Sequence, residues 1–207
     1  MFPWKRLSGF FVRCVLWYAL LLAPWPRVME AYRTVFRAAG NRVFQSVGRG
    51  GSVSFEPRTD IDHTGDTTLV FTKVRHYRAS TDMQINSAYV GYRPTAFLVA
   101  LVLASPVPRS RRFVALLAGL VLVSVFVAAR VGLQVIDVFS NNDAMALYWP
   151  SSWTKQALHA GVLILFRAPA GHYMIPMLIW MVVIYRRGDL RALLDPPRAA
   201  EHAGGSG

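Results

Sequence analysis

The chain has 207 residues, 54% of them hydrophobic and 16% charged, with a formal net charge of +12. A single cysteine excludes an intrachain disulfide and any CxxC metal or redox motif. The basic excess does not point to nucleic acid, because the lysines and arginines gather beside long apolar runs instead of covering a polar surface.

Residues 1–25 read as an N-terminal transmembrane anchor. Lys5 and Arg6 precede the run FFVRCVLWYALLLAPW, residues 10–25, and a bilayer core about 30 Å thick needs roughly 20 apolar residues in helical form. No small-x-small site follows, so an uncleaved anchor is favoured over a signal peptide. Cys14, inside the run, reads as a buried structural thiol.

Residues 26–90 read as an extracytoplasmic α+β segment. Over 26–48, Val28, Tyr32, Val35, Phe36, Ala39, Val43 and Phe44 recur at helical spacing between arginines. This predicts an amphipathic helix lying on the outer membrane face or packed on the sheet that follows. GRGGS (48–52) breaks it. SVSFEP (52–57), TTLVFTKVRHYRA (67–79) and MQINSAYVGYR (83–93) have strand patterning and predict two or three antiparallel strands, a sheet with little cover of its own. Asp60, Asp62 and Asp66 flank His63, but the spacing is not that of a calcium loop, and a solvated turn without metal is expected.

Residues 91–187 read as three further spans. The second span covers PTAFLVALVLASPVP (94–108) and begins near Tyr89, with Pro94 suited to a first helical turn. The third, 109–137, opens with Arg109, Arg111 and Arg112 and carries Arg130 inside its apolar stretch. Seventeen residues, Phe113 to Ala129, precede that arginine; at 1.5 Å each they rise about 25 Å, which places Arg130 near the outer boundary of the hydrocarbon. A headgroup anchor is one expectation there. Gly119, with Ala115 and Ser124, predicts a helix-packing seam. An outer loop follows at about 138–167, with Trp149 and Trp153 as interfacial aromatics. The fourth span is APAGHYMIPMLIWMVVIY (168–185), kinked at Pro176, with His172 expected at the headgroups or, alternatively, hydrogen-bonding between helices. Residues 188–207 form a low-complexity tail.

The basic clusters Lys5–Arg6, Arg109–Arg111–Arg112 and Arg186–Arg187–Arg191 fall on one side of four crossings, the positive-inside pattern. Both termini are then cytoplasmic in a bacterial inner membrane, with Arg111, Arg112, Arg186, Arg130, Trp149 and Trp153 as boundary anchors. The fold class is therefore an α-helical polytopic membrane protein: four transmembrane helices with a small α+β domain inserted between helices 1 and 2. The chain has no P-loop, dinucleotide fingerprint, HExxH or GxSxG motif, so no cofactor or metal is implied.

SAYVGYRPTAFLVALVLASPVPRSRRFVALLAGLVLVSVFVAARVGLQ followed by LHAG resembles the exosortase and archaeosortase family. Those are polytopic membrane proteins thought to cleave and transfer proteins bearing a C-terminal sorting signal. Their order is a cysteine before an apolar span, a basic turn, a span ending in arginine, and a later histidine. Arg130 falls at the arginine and His159 at the histidine. Ser87 or Ala88 replaces the cysteine, and Val127 replaces an asparagine. The outline also resembles the small exosortase-associated membrane proteins lacking the catalytic cysteine. That resemblance implies a non-catalytic accessory or scaffold of a protein-sorting system, presenting its outer β-rich domain to a protein partner in the membrane or periplasm and otherwise contacting only lipids. The alternative is a sortase-like transpeptidase or protease variant using Ser87, Arg130 and His159, in which histidine activates serine and arginine stabilises an oxyanion.

Overall fold

A computed structural model describes residues 4–47, 50–58, 65–73, 79–141, 151–163 and 169–184. In chain order the elements are α1 (Trp4–Leu22), α2 (Trp25–Phe44), β1 (Gly51–Pro57), β2 (Thr67–Lys73), β3 (Ala79–Ile85), a π-helical turn (Ala88–Tyr92), α3 (Arg93–Ala104), α4 (Arg109–Asn141), α5 (Ser152–Val162) and α6 (Pro169–Ile184). The protein is mostly helical, with one three-stranded antiparallel sheet in the order β1-β2-β3.

Pro24 and Pro26 separate α1 from α2, and the two axes meet at 72°. Proline lacks the N–H that would carry the helical ladder through this point, which makes it the natural bend. Leu21 would be left with an unsatisfied terminal carbonyl, but it accepts the Tyr92 hydroxyl at 2.5 Å. α2 ends before Gly50, whose φ of 107° suits a residue without a side chain.

β1, β2 and β3 alternate as their sequences require. Val53, Phe55, Leu69 and Phe71 are buried on one face, while Ser52, Ser54 and Thr68 lie on the other. The expected register is shifted at the third strand. It begins at Ala79, a residue assigned from sequence to the end of the second run, because Lys73 pairs with Ala79 and Thr67 with Ile85. The sheet has little cover of its own and takes it from a helix: Leu69 and Phe71 are fully buried against the C-terminal third of α4, through Val131, Val135 and Phe139. On its far side β1 meets α2: Gly40 lies against the Phe55 ring, and Asn41 bonds both backbone groups of Phe55, at 2.7 and 3.2 Å. That amide occupies hydrogen-bonding positions on an edge strand that would otherwise invite a foreign strand.

A second apolar cluster lies toward the other end of α4. It joins Cys14 of α1, Leu98, Leu101 and Val102 of α3, Ala115 and Val123 of α4, and Trp180 and Ile184 of α6. α3 is the central helix, packed against α1, α4 and α6. The expected small-residue seam is present at two of its three residues: Ala115 is buried, and Gly119 lies so close to Leu98 that an added Cβ would sit 3.1 Å from it, whereas Ser124 is exposed.

Among the described residues, α4 is the one single helix long and apolar enough to cross a membrane, over Arg109–Ser140. α1 and α2 pass the same test only as a bent pair, and the apolar segments Ala88–Ala104 and His172–Ile184 are shorter. One or two helices thus meet the criterion where the sequence predicts four spans. α3 is cut short at Ser105, and the preceding turn is needed to enter from the sheet. α4 has the opposite character: its 33 residues extend about 50 Å, more than a bilayer core needs. The excess carries the helix into the sheet domain, so Arg130 belongs to a helix that continues through it instead of ending there. The tail 188–207, Trp149, Arg186, and the loop residues Asp60, Asp62 and His63 lie outside the described residues.

Candidate functional site

Two polar groupings hold the junction between the helices and the sheet. The first centres on Asp66, which precedes β2. It was expected in a solvated turn but is only 6% exposed. Its Oδ1 accepts the Ser87 backbone N–H at 2.9 Å and the Thr67 hydroxyl at 3.1 Å. Its Oδ2 accepts the Ser87 hydroxyl at 2.7 Å and Nε of Arg33 at 3.0 Å. Asn86 completes the arrangement, its Oδ1 accepting the N–H groups of Ala88 and Tyr89 at 3.0 and 3.3 Å. The opening turn of the helical segment 88–104 therefore has its first N–H groups met by an amide and a carboxylate, and the carboxylate charge suits a helix N-terminus.

Arg33 reaches from α2 into this grouping and also bonds the exposed Glu30 at 2.5 Å. Burial works against its charge, but the hydrogen bonds and charges of Glu30 and Asp66 outweigh that, and its pKa is raised. Beside it Tyr32 is buried within a row of rings formed with Trp25, Phe36 and Tyr92. Its hydroxyl pKa is raised, first by burial, then by the Asp66 charge and by Tyr92.

The second grouping centres on Arg130, which is 2% exposed. Its Nη2 lies 3.1 Å from Nε2 of His172 on α6. Arginine has no acceptor atom, so in this contact Nε2 accepts, and the imidazole is the neutral tautomer with its proton on Nδ1. The Tyr89 ring stands edge-on to His172 with centroids 6.4 Å apart, and the Arg93 guanidinium lies 3.7 Å over the Tyr89 ring. The Arg130 and His172 side chains meet each other between α4 and α6, the interhelical alternative for His172.

The residues of the sequence-derived catalytic set do not form one hydrogen-bonded group. Ser87 is buried and donates to Asp66, Arg130 meets His172, and His159 sits on α5 with its Nδ1 4.0 Å from Oδ1 of Asp137. A serine needs an available base at its hydroxyl to act as a nucleophile, and the Asp66 carboxylate that meets Ser87 also neutralises Arg33 and accepts a helix-opening N–H, so it is occupied as a structural acceptor. Cys14, the one thiol, lies in the other apolar cluster. Arg112 turns inward, donating from Nη2 to the carbonyls of Ser105 and Val107 at 3.1 and 3.2 Å, and so closes the α3–α4 turn. Arg111 lines a cavity at that turn, and Trp153 is 77% exposed on α5. No group of three or more metal-binding side chains occurs among the described residues.

From sequence, neither Asp66 with Arg33 nor His172 with Arg130 is recognised as a pair. His172 carries a signal, since it lies in the first turns of an apolar helix. Asp66 and Arg33 carry no local signal, because their roles depend on contacts 21 and 33 residues away. No family model, curated protein or solved structure matches the chain.

Proposed function

We propose that this chain is a four-span bacterial inner-membrane protein, with both termini cytoplasmic, acting as a non-catalytic accessory of an exosortase-like protein-sorting system. On this reading α1, the segment 88–104, α4 and α6 cross the bilayer, and the sheet with α2 stands on the outer side. The observation that carries the reading is that buried Arg130 meets His172 while the Ser87 hydroxyl is given to Asp66. The arginine of the family's order thus meets a histidine other than His159, and the place of the nucleophile holds a serine already bonded to a buried carboxylate. A scaffold that keeps the cationic pair without a thiol is suited to holding a partner, not to acyl transfer. The variant using Ser87, Arg130 and His159 lacks the serine–histidine contact it requires.

The test is co-purification from native membranes in mild detergent. A stoichiometric polytopic membrane protein bearing the missing cysteine supports the accessory role. Recovery of the chain alone, together with covalent labelling of Ser87 by a serine-directed acylating probe, overturns it in favour of an enzyme.

A further inference from the structure

A cavity of about 190 Å³ opens between α2 and α4, with Phe36, Ala39 and Val43 on one wall and Ser124, Ala128 and Val131 on the other. The small residues Ala39 and Ala128 leave the space that larger side chains would fill. Its lining offers almost nothing polar. The Ser124 hydroxyl donates to the Leu120 carbonyl at 2.7 Å, and that of the neighbouring Thr95 to Gly91 at 2.8 Å, so both hydroxyls are used on their own helices. An occupant would therefore meet methyl groups and ring edges.

The depth of the cavity narrows the choice. Ser124 to Val131 lie 15 to 22 residues beyond Arg109, or about 22 to 33 Å along α4, which is the outer edge of a hydrocarbon core. Val121 and Val125, on the same stretch of α4, are strongly exposed. The α2 wall also carries Arg27, Arg37 and Arg42, while Arg33 is paired with Asp66 and Glu30, the one acid of the helix. Arg42 is exposed in its last turn. An apolar slot at hydrocarbon depth beneath a basic interfacial helix complements one molecule: a phospholipid with an anionic headgroup. Resting on the membrane placement argued above, we propose that this groove seats an acyl chain of an anionic phospholipid, whose phosphate is met by Arg42.

Lipid tails are as apolar as the groove, so burial alone gives no preference for the slot over bulk bilayer. Selectivity must come from the arginines, each worth about a fivefold preference for an anionic headgroup near the surface. The experiment uses the full chain in phosphatidylcholine nanodiscs doped with phosphatidylglycerol that carries a diazirine near its acyl terminus. Cross-linked peptides are mapped by mass spectrometry. The expected result is labelling concentrated on 36–44 and 124–131, lost in Ala128→Phe and Ala39→Trp, with the preference over a matched phosphatidylcholine probe falling about fivefold in Arg42→Gln. Ala39 is exposed, so that variant keeps the test valid should Ala128→Phe fail to fold. Labelling spread evenly around α4, or unchanged by either filling variant, overturns the proposal, as does a protein helix captured in the groove in place of lipid. Extraction of the chain by alkaline carbonate, with no nanodisc incorporation, instead overturns the membrane placement, so the two failures are distinguishable.

Discussion

Asp66→Ala should be the most damaging single substitution in the sheet region. The carboxylate accepts from Arg33, the Ser87 hydroxyl, the Ser87 N–H and Thr67, and it is 6% exposed. Removing one partner of a buried ion pair costs about 3–5 kcal/mol. Each buried donor left without an acceptor adds about 1–3 kcal/mol before the structure relaxes. These figures overlap, since one rearrangement answers several donors, and Arg33 keeps the exposed Glu30; a loss of about 4 kcal/mol is the working value. Set against a typical total of about 5–15 kcal/mol, that is enough to detach β2 from the 88–104 helix without unfolding the helices. Hydrogen exchange is the suitable assay, because it reads local opening where detergent unfolding is not two-state. Amides of β2, β3 and the π-helical turn should exchange about a thousandfold faster, at about 1.4 kcal/mol per decade. Those of α3 and α6 should change little. Arg33→Ala should cost less than Asp66→Ala, since the remaining carboxylate still holds Ser87 and Thr67, and the double variant should be no worse than Asp66→Ala. Protection within about threefold of the parent, under 1 kcal/mol, would refute the clamp.

Gly40→Val should destabilise the α2–β1 contact by about 1–3 kcal/mol, because any Cβ there sits 2.6–2.8 Å from the buried Phe55 ring; the urea midpoint of the sheet signal checks it. His172→Ala removes an acceptor from the buried Arg130 guanidinium and should cost about 1–3 kcal/mol, with His172→Gln intermediate; a silent His172→Ala in a detergent melt would return Arg130 to the role of headgroup anchor. Cys14, 6% exposed, should react with a maleimide only after denaturation, and prompt labelling in the folded protein would contradict the packing of α1 on α3 and α6. Tyr32 has a pKa raised in the folded state, so its contribution to stability is intact below its unfolded value of about 10 and is lost as pH rises past it. Tyr32→Phe should flatten that alkaline loss in a stability profile from pH 8 to pH 11, at about one proton's worth of slope.

The helices and strands were legible where one physical pattern dominated. α2 has apolar residues at helical spacing and prolines at its start, and the structure returns it at Trp25–Phe44. β1 and β2 alternate cleanly and pair as expected. The third strand was misplaced because Ala79–Ile85 carries polar and small residues in both registers, so its sequence does not announce which face is buried; pairing with β2 decides that. The covered state of the sheet was illegible for the same reason. Its cover comes from α4, whose outer third reads in sequence as the continuation of a membrane span, and periodicity does not distinguish a helix facing lipid from one facing a sheet.

The arginine inside the apolar run shows where sequence reasoning separates from structure. Counting residues from Phe113 gave the depth of Arg130, and depth is a local quantity. What surrounds a side chain at that depth is not local. An arginine near a span's end reaches the headgroups only if nothing packs over it, and here α6 brings His172 to its guanidinium. The same logic separates His159 from His172. Both precede apolar stretches, but His159 lies on α5, a short helix none of whose residues is buried, while His172 opens α6, which packs on both α3 and α4. A histidine on a helix that joins the core at the arginine's depth is the one that meets it, so the length and packing of the carrier helix, more than the residue's distance from Arg130 in sequence, decided the pair.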